Sequence, residues 1–183
     1  MKLARLAAGA ALVVLSACSG GTASTDELPG PVPENVVFRD PPAGAPPAPA
    51  FELDLLGGDA LDLTEQWDAR PVVLVFFESW CTLCQEQQES INDVVDDYRD
   101  VVLFVGIANL SEPADVEQYV GDNDITYPVG IDSTGRSFLN YAVTEPPLVA
   151  LVSKGGQLLR GWPEGITGEE LAQQIDQLAV ESQ

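Results

Sequence analysis

From Phe51 onward, apolar and polar residues follow periods that identify the elements in order. Phe51-Glu52-Leu53-Asp54-Leu55 alternates with period two, Gly57-Gly58-Asp59 reads as a turn, and Leu61 to Leu63 resumes the alternation, which predicts a hairpin. Pro71 then opens Val72 to Phe77, a continuous apolar run suited to a strand buried on both faces. Leu83, Gln87, Ile91, Val94, Val95 and Tyr98 recur at three and four residues and predict an amphipathic helix of about four turns. A second buried strand is expected at Val101 to Ile107.

Pro113 to Val120 reads as a helix, with Pro113 where a missing N–H is tolerated and Gly121 as its stop. Tyr127 to Ile131 is a short strand leading to the Asp132-Ser133-Thr134-Gly135 turn. Leu148 to Val152, Lys154-Gly155-Gly156 and Gln157 to Arg160 form strand, turn and strand. Thr167 and Glu170 make a capping box for a last helix with Leu171, Ile175 and Leu178 on one stripe. This order demands an α/β architecture with a mixed central sheet covered by helices on both faces.

The first 50 residues have a different texture. Lys2 and Arg5 precede an apolar run from Leu6 to Leu15, far short of the roughly 20 residues a spanning helix needs. Residues 1–17 therefore read as a cleavable export signal. The run ends in Leu15-Ser16-Ala17-Cys18, which resembles the lipobox of bacterial lipoproteins and implies that Cys18 carries a lipid holding the chain at the membrane. Residues 18–50 read as a lipidated N-terminus and a tether; beyond Cys18 they hold eight of the 14 prolines and show no period. Such a coil would reach about 30 Å on average. Val36-Val37-Phe38 interrupts it, either as a patch lying against the domain or as a sticky spot in a loose linker. The domain itself is expected over residues 51–183.

Composition narrows the chemistry. Eight basic residues against 29 acidic ones give a net charge of −21, a field that repels nucleic-acid backbones and serves solubility. There is no histidine, which excludes a Ser-His-Asp triad, a Cys-His pair and imidazole-ligated metal sites. Three cysteines and the carboxylates remain.

Cys81 and Cys84 stand three apart where the predicted helix begins, on one face and close enough to bond. Cys81, at the first turn, meets unpaired N–H groups and the positive end of the helix dipole, which favours its thiolate and makes it the nucleophile. Cys84, one turn further in and expected to be more buried, can resolve a mixed disulfide formed at Cys81. Competing readings are weaker. A structural staple across so small a loop gains little entropy. Half a zinc site lacks its second pair of ligands. Haem attachment needs a histidine where Gln85 stands.

Val75-Phe76-Phe77-Glu78-Ser79-Trp80-Cys81-Thr82-Leu83-Cys84 resembles the active-site segment of thioredoxin-fold proteins. Phe51 to Trp67, Asp132-Ser133-Thr134-Gly135 and Tyr141-Ala142-Val143 resemble segments of TlpA-like and ResA-like membrane-tethered thiol-disulfide reductases. The likeness covers residues 51 to 180 or so. It implies a thioredoxin-like fold with an N-terminal β-hairpin and an inserted βα unit. It also puts Pro147 at the family's cis-proline position, beside the cysteines and next to a backbone edge for an extended substrate. An ordinary trans turn proline is the competing reading. Trp80 is either an apolar shelf for substrate or plain core packing.

Departures from that pattern matter too. Val75 stands where thioredoxin keeps a buried aspartate, so Cys84 lacks that proton relay. Glu78 is either a replacement acid or base, or a solvated strand-end carboxylate. The residue before Pro147 is Pro146, which offers no side chain suited to tuning partner choice. Thr82-Leu83 is uncharged and Glu78, Glu86 and Glu89 crowd the helix start, which predicts a weakly stabilised thiolate and a reducing couple.

The resemblance implies an extracytoplasmic thiol-disulfide oxidoreductase at the outer face of the cell membrane, without a cofactor. It would reduce disulfides of exported proteins such as apocytochrome c, with a membrane electron donor behind it. A redox-inert or metal-handling binding lipoprotein of the same fold is the alternative. A thiol peroxidase is weaker, because no threonine stands three residues before either cysteine.

Overall fold

The computed structural model describes residues 28–181. The expected export signal and Cys18 lie outside them. Among the described residues no helix is long and apolar enough to cross a membrane.

The expected hairpin forms from β1 (Glu52–Leu55) and β2 (Ala60–Asp62), with Leu53 opposite Leu61 and Gly58 supplying a positive φ of 97° in the turn. Leu63 does not continue the strand. Asp62 accepts a bond from the Thr64 N–H at 2.8 Å and caps α1 (Leu63–Ala69), a helix not anticipated from the sequence. Its signal was present in Asp62-Leu63-Thr64-Glu65, an acceptor followed three residues on by an acid.

The buried runs become β3 (Val72–Phe76), β4 (Leu103–Ala108) and β6 (Leu148–Val152), every residue of which is buried. Between them lie α2 (Thr82–Tyr98), α3 (Pro113–Asp122), β5 (Val129–Ile131) and α4 (Arg136–Asn140); β7 (Leu158–Pro163) and α5 (Gly168–Leu178) close the chain. The seven strands form one sheet in the order β2-β1-β5-β4-β3-β6-β7. β3, β4 and β5 run parallel, whereas β1, β2, β6 and β7 join antiparallel, so the sheet is mixed as expected.

Strand alternation divides the core. Val73 and Val75 face Ile91, Val94, Val116, Leu171 and Ile175 from α2, α3 and α5. Val72, Leu74 and Phe76 face Leu63, Trp67 and Phe138 from α1 and α4. Burying each such aliphatic or aromatic side chain contributes about 1.5–3 kcal/mol, so neither sheet face can be left bare.

Three details differ from expectation. The buried stripe of α2 is Cys84, Gln88, Ile91, Val94 and Val95; Leu83 is exposed and Gln87 half-buried, because Cys84 rather than Leu83 turns inward. Gly121 does not stop α3, which continues to Asp122; the first positive φ comes at Asp124. The five-residue helix α4, behind the Asp132 turn, was not anticipated.

The proline-rich segment attaches to the domain well ahead of residue 51. Arg70, itself buried, donates to the carbonyls of Asp100 at 3.1 Å and of Gly30. Phe38 bridges Val180, the Arg39 N–H donates to the Ala179 carbonyl at 2.9 Å, and Val36 and Phe38 pack on the core. Of the two readings of Val36-Val37-Phe38, contact with the domain is the one observed. Further on, the Ala48 N–H reaches the Gly156 carbonyl at 2.8 Å. From Pro29 to Ala50 the chain is thus a strap against the domain rather than a free coil.

Candidate active site

The site forms where β3 leaves the sheet. The Phe77 N–H still bonds the Ile107 carbonyl at 3.0 Å; beyond it the chain turns through Glu78, Ser79 and Trp80, and the Cys81 N–H closes that turn on the Glu78 carbonyl at 3.0 Å. Cys81 is the N-cap of α2, with extended backbone, and its Sγ accepts the Cys84 N–H at 3.1 Å. Cys81 and Cys84 are joined in a disulfide, with Cα atoms 5.3 Å apart. An orphan helix N–H and the positive end of the helix dipole therefore converge on the Cys81 sulfur, the arrangement that stabilises a thiolate there once the bond opens.

The expected contrast in burial between the cysteines is absent, since Cys81 is 5% and Cys84 4% exposed. Both belong to the apolar cluster that holds Val75, Phe77 and Val149. Trp80, by contrast, is 63% exposed, which excludes core packing as its role. It lines a cleft of about 290 Å³ with Ser79, Gln85, Asp115, Gln118, Tyr119 and Asp122, none of them basic. A cavity of about 320 Å³ lies at the opposite end of the sheet, under Leu28 to Gly30.

The Pro146–Pro147 peptide bond is cis, and Pro147 is buried. Pro147 directly precedes Leu148, which pairs with Phe76 at the end of β3 from which the cysteine turn departs. The fold thereby brings Cys81, Cys84, Trp80, Pro146 and Pro147 to one end of the sheet.

The position of Glu78 decides against one of its two readings. It is only 1% exposed, so it is not a solvated strand-end carboxylate. Its Oε1 accepts the N–H groups of Asn109 at 3.1 Å and Leu110 at 2.8 Å; its Oε2 accepts the Ser111 N–H at 2.8 Å and the Ser111 hydroxyl at 2.6 Å. Four donors occupy the roughly four lone-pair sites of a carboxylate, which ties Glu78 to the loop after β4. Glu86 and Glu89 are exposed on α2, so their negative charge is screened by solvent.

Ser111 was missed. Its hydroxyl accepts from both the Ser79 N–H and the Ser79 hydroxyl at 2.9 Å while donating to Glu78. In sequence, Ser111-Glu112-Pro113 looks like an ordinary helix start, and nothing local announces a partner 32 residues upstream. Among the described residues no group of three or more cysteine, aspartate or glutamate side chains could hold a metal ion.

The model of the AhpC/TSA family matches residues 45–161. The chain belongs to that family. Within the AhpC/TSA family it is similar to the thiol-disulfide oxidoreductase ResA of Bacillus thuringiensis subsp. konkukian, 26% identical over 132 residues that make up 71% of this chain and 73% of that protein. Among solved structures, it resembles a secreted Mycobacterium tuberculosis disulfide oxidoreductase homologous to Escherichia coli DsbE, with a TM-score of 0.63, 23% identity, and coverage of 70% of this chain and 96% of that one. The exposed lipoprotein thioredoxin Etrx1 of Streptococcus pneumoniae gives a TM-score of 0.63 at 22% identity, covering 71% of this chain and all of that one. These structures establish the thioredoxin-like fold expected from the sequence. The enzyme class expected from the sequence, thiol-disulfide oxidoreductase, is the class for which its homologue is named.

Proposed function

We propose that the protein is an extracytoplasmic thiol-disulfide oxidoreductase that reduces disulfides of exported polypeptides, apocytochrome c among its candidate clients, and is re-reduced by a membrane electron donor. The observation that carries the exchange chemistry is the Cys81–Cys84 disulfide at the first turn of α2, with the Cys84 N–H on the Cys81 Sγ; the reducing direction is the part of the proposal that the potential tests. In the reduced enzyme the Cys81 thiolate attacks one sulfur of a client disulfide. A Cys81–client disulfide forms, and the other client sulfur leaves as a thiolate that takes up a proton. Cys84, deprotonated, then attacks the Cys81 Sγ and expels the second client thiolate. Two electrons have passed to the client, and the enzyme holds its internal disulfide until a dithiol donor reverses the exchange. No cofactor is needed.

Trp80 offers an apolar surface beside the sulfurs, and the backbone before Pro147 receives the client as an added strand. Cys18 carries the lipid that keeps the enzyme at the outer face of the membrane. The ResA name of a relative and the exposed lipoprotein neighbour are consistent with that placement.

Replacing Cys84 with serine tests the reading. The reduced Cys84→Ser chain should form a covalent adduct with a disulfide-bearing peptide, one that dithiothreitol releases, while the wild type turns the same peptide over. Absence of both adduct and turnover would leave a redox-inert binding lipoprotein as the better description. A couple as oxidising as about −120 mV in equilibrium with glutathione would overturn the reducing direction.

A further inference from the structure

We propose that the Ser111 hydroxyl, backed by the Glu78 carboxylate, is a positioning device for this exchange, holding the turn that carries Cys81 in register with the loop after β4. The inference rests on the exchange reading above and adds residues to it.

Past Phe77 the chain leaves the sheet, and among the described residues the backbone bond that closes the cysteine turn is its own, from the Cys81 N–H to the Glu78 carbonyl. From outside, the turn is held by the bond from the Ser79 N–H to the Ser111 hydroxyl, two residues before Cys81, together with the Ser79 hydroxyl bond to Ser111 and the bonds of Glu78 to residues 109–111. A hydroxyl that accepts two bonds and donates one has its own orientation fixed by its acceptor. Here the acceptor is Glu78 Oε2, which is also held by the Ser111 N–H. Glu78 therefore grips the 109–111 backbone and aims the Ser111 hydroxyl, and the hydroxyl grips the turn.

These polar groups are not spent on capping the next helix. Glu112, the N-cap of α3, makes no side-chain cap bond. Both braced segments also carry an exposed apolar residue, Trp80 at 63% and Leu110 at 74%. Loss of the brace would let Cys81 drift from the Cys84 N–H that stabilises its thiolate, and small misplacements of a reacting atom are costly to rate.

The test uses the mature chain with Cys18 blocked by its lipid, reduced, at neutral pH and well below its unfolding midpoint. It measures the second-order rate constant with 5,5′-dithiobis(2-nitrobenzoic acid), a disulfide small enough to need no docking surface. Ser111→Ala leaves the charge unchanged and should slow the reaction on the order of tenfold. Ser111→Thr, which keeps the hydroxyl, should restore it to within about twofold. Should Ser111→Ala fail to fold, Ser79→Ala removes one bond of the network and should slow the reaction about threefold. A lowered midpoint with an unchanged rate per folded molecule would make the network a stabilising brace only and overturn the proposal. A wild-type rate no faster than that of free cysteine would overturn the exchange reading first, and this inference with it.

Discussion

Glu78→Ala separates the buried bracket seen here from the solvated carboxylate suggested by the sequence. Removal of the side chain strands donors of unequal cost. The Ser111 N–H and hydroxyl make buried bonds to Oε2, so they lose a partner that water cannot readily replace; the Asn109 and Leu110 N–H groups bond Oε1 in a partly buried setting that water can reach. An unsatisfied buried donor costs about 1–3 kcal/mol. Two buried donors, one of them a hydroxyl free to rotate, together with two half-exposed ones, give an expected loss of about 2–4 kcal/mol. Glu78→Gln should cost about half as much, because its amide oxygen still serves Asn109 and Leu110 while its NH₂ confronts the Ser111 N–H. Urea unfolding at neutral pH is the assay, with equal m-values required so that the midpoint reports stability. A loss for Glu78→Ala within about 0.5 kcal/mol, the range of ordinary surface substitutions, would refute the bracket.

Two further predictions rest on independent features. The same substitution at two helical glycines should act with opposite sign. A Cβ at Gly168 would lie 2.1 Å from the Ser90 carbonyl oxygen, so Gly168→Ala should force α5 off α2 and cost about 1–3 kcal/mol. Gly121 has open space around its Cβ position, so Gly121→Ala should stabilise by about 0.5–1 kcal/mol through helix propensity; shifts of the same sign in urea unfolding would refute the pair. Burial pushes the Asp132 carboxyl up, but bonds from Ser137 and Thr134 outweigh it and hold it below its ordinary value of 3.8. A depressed folded value stabilises above the unfolded value and ceases to do so as pH falls through the folded one. The advantage of wild type over Asp132→Asn should thus be constant from about pH 7 to 5 and shrink below about pH 4; a gap that widens on acidification would contradict the assignment.

Which parts of this molecule were legible in its sequence depends on how far each determinant reaches along the chain. Val72 to Phe76 and Leu148 to Val152 are buried on both faces, so their apolar runs are continuous and the central strands can be read directly. The cysteine pair is legible for the same reason, since strand, turn and helix start are contiguous. Pro147 was placed through resemblance alone. Short helices fare worse: α1 and α4, at seven and five residues, offer too few turns for a period to show, although Asp62 and Glu65 marked the start of the first. Proline-rich composition reads the same whether the segment is free or strapped down; what straps it are distant partners, among them Arg70, whose carbonyl acceptors at Gly30 and Asp100 lie 40 and 30 residues away, and Val180, which pairs with Phe38.

Glu78 shows the limit most clearly. A carboxylate at the end of a buried strand has two physical fates, solvation or multiple donors, and the choice between them lies in backbone N–H groups of residues 109–111. Those groups carry no side-chain signature. Only the parallel pairing of β3 with β4, Phe76 beside Ile107, brings them into reach. The pairing that makes the sheet thus also builds the bracket, so the residue most easily misread in sequence joins the fold to the chemistry: α2 supplies the N–H for the sulfur, and Glu78, through Ser111, ties the turn bearing that sulfur to the neighbouring strand.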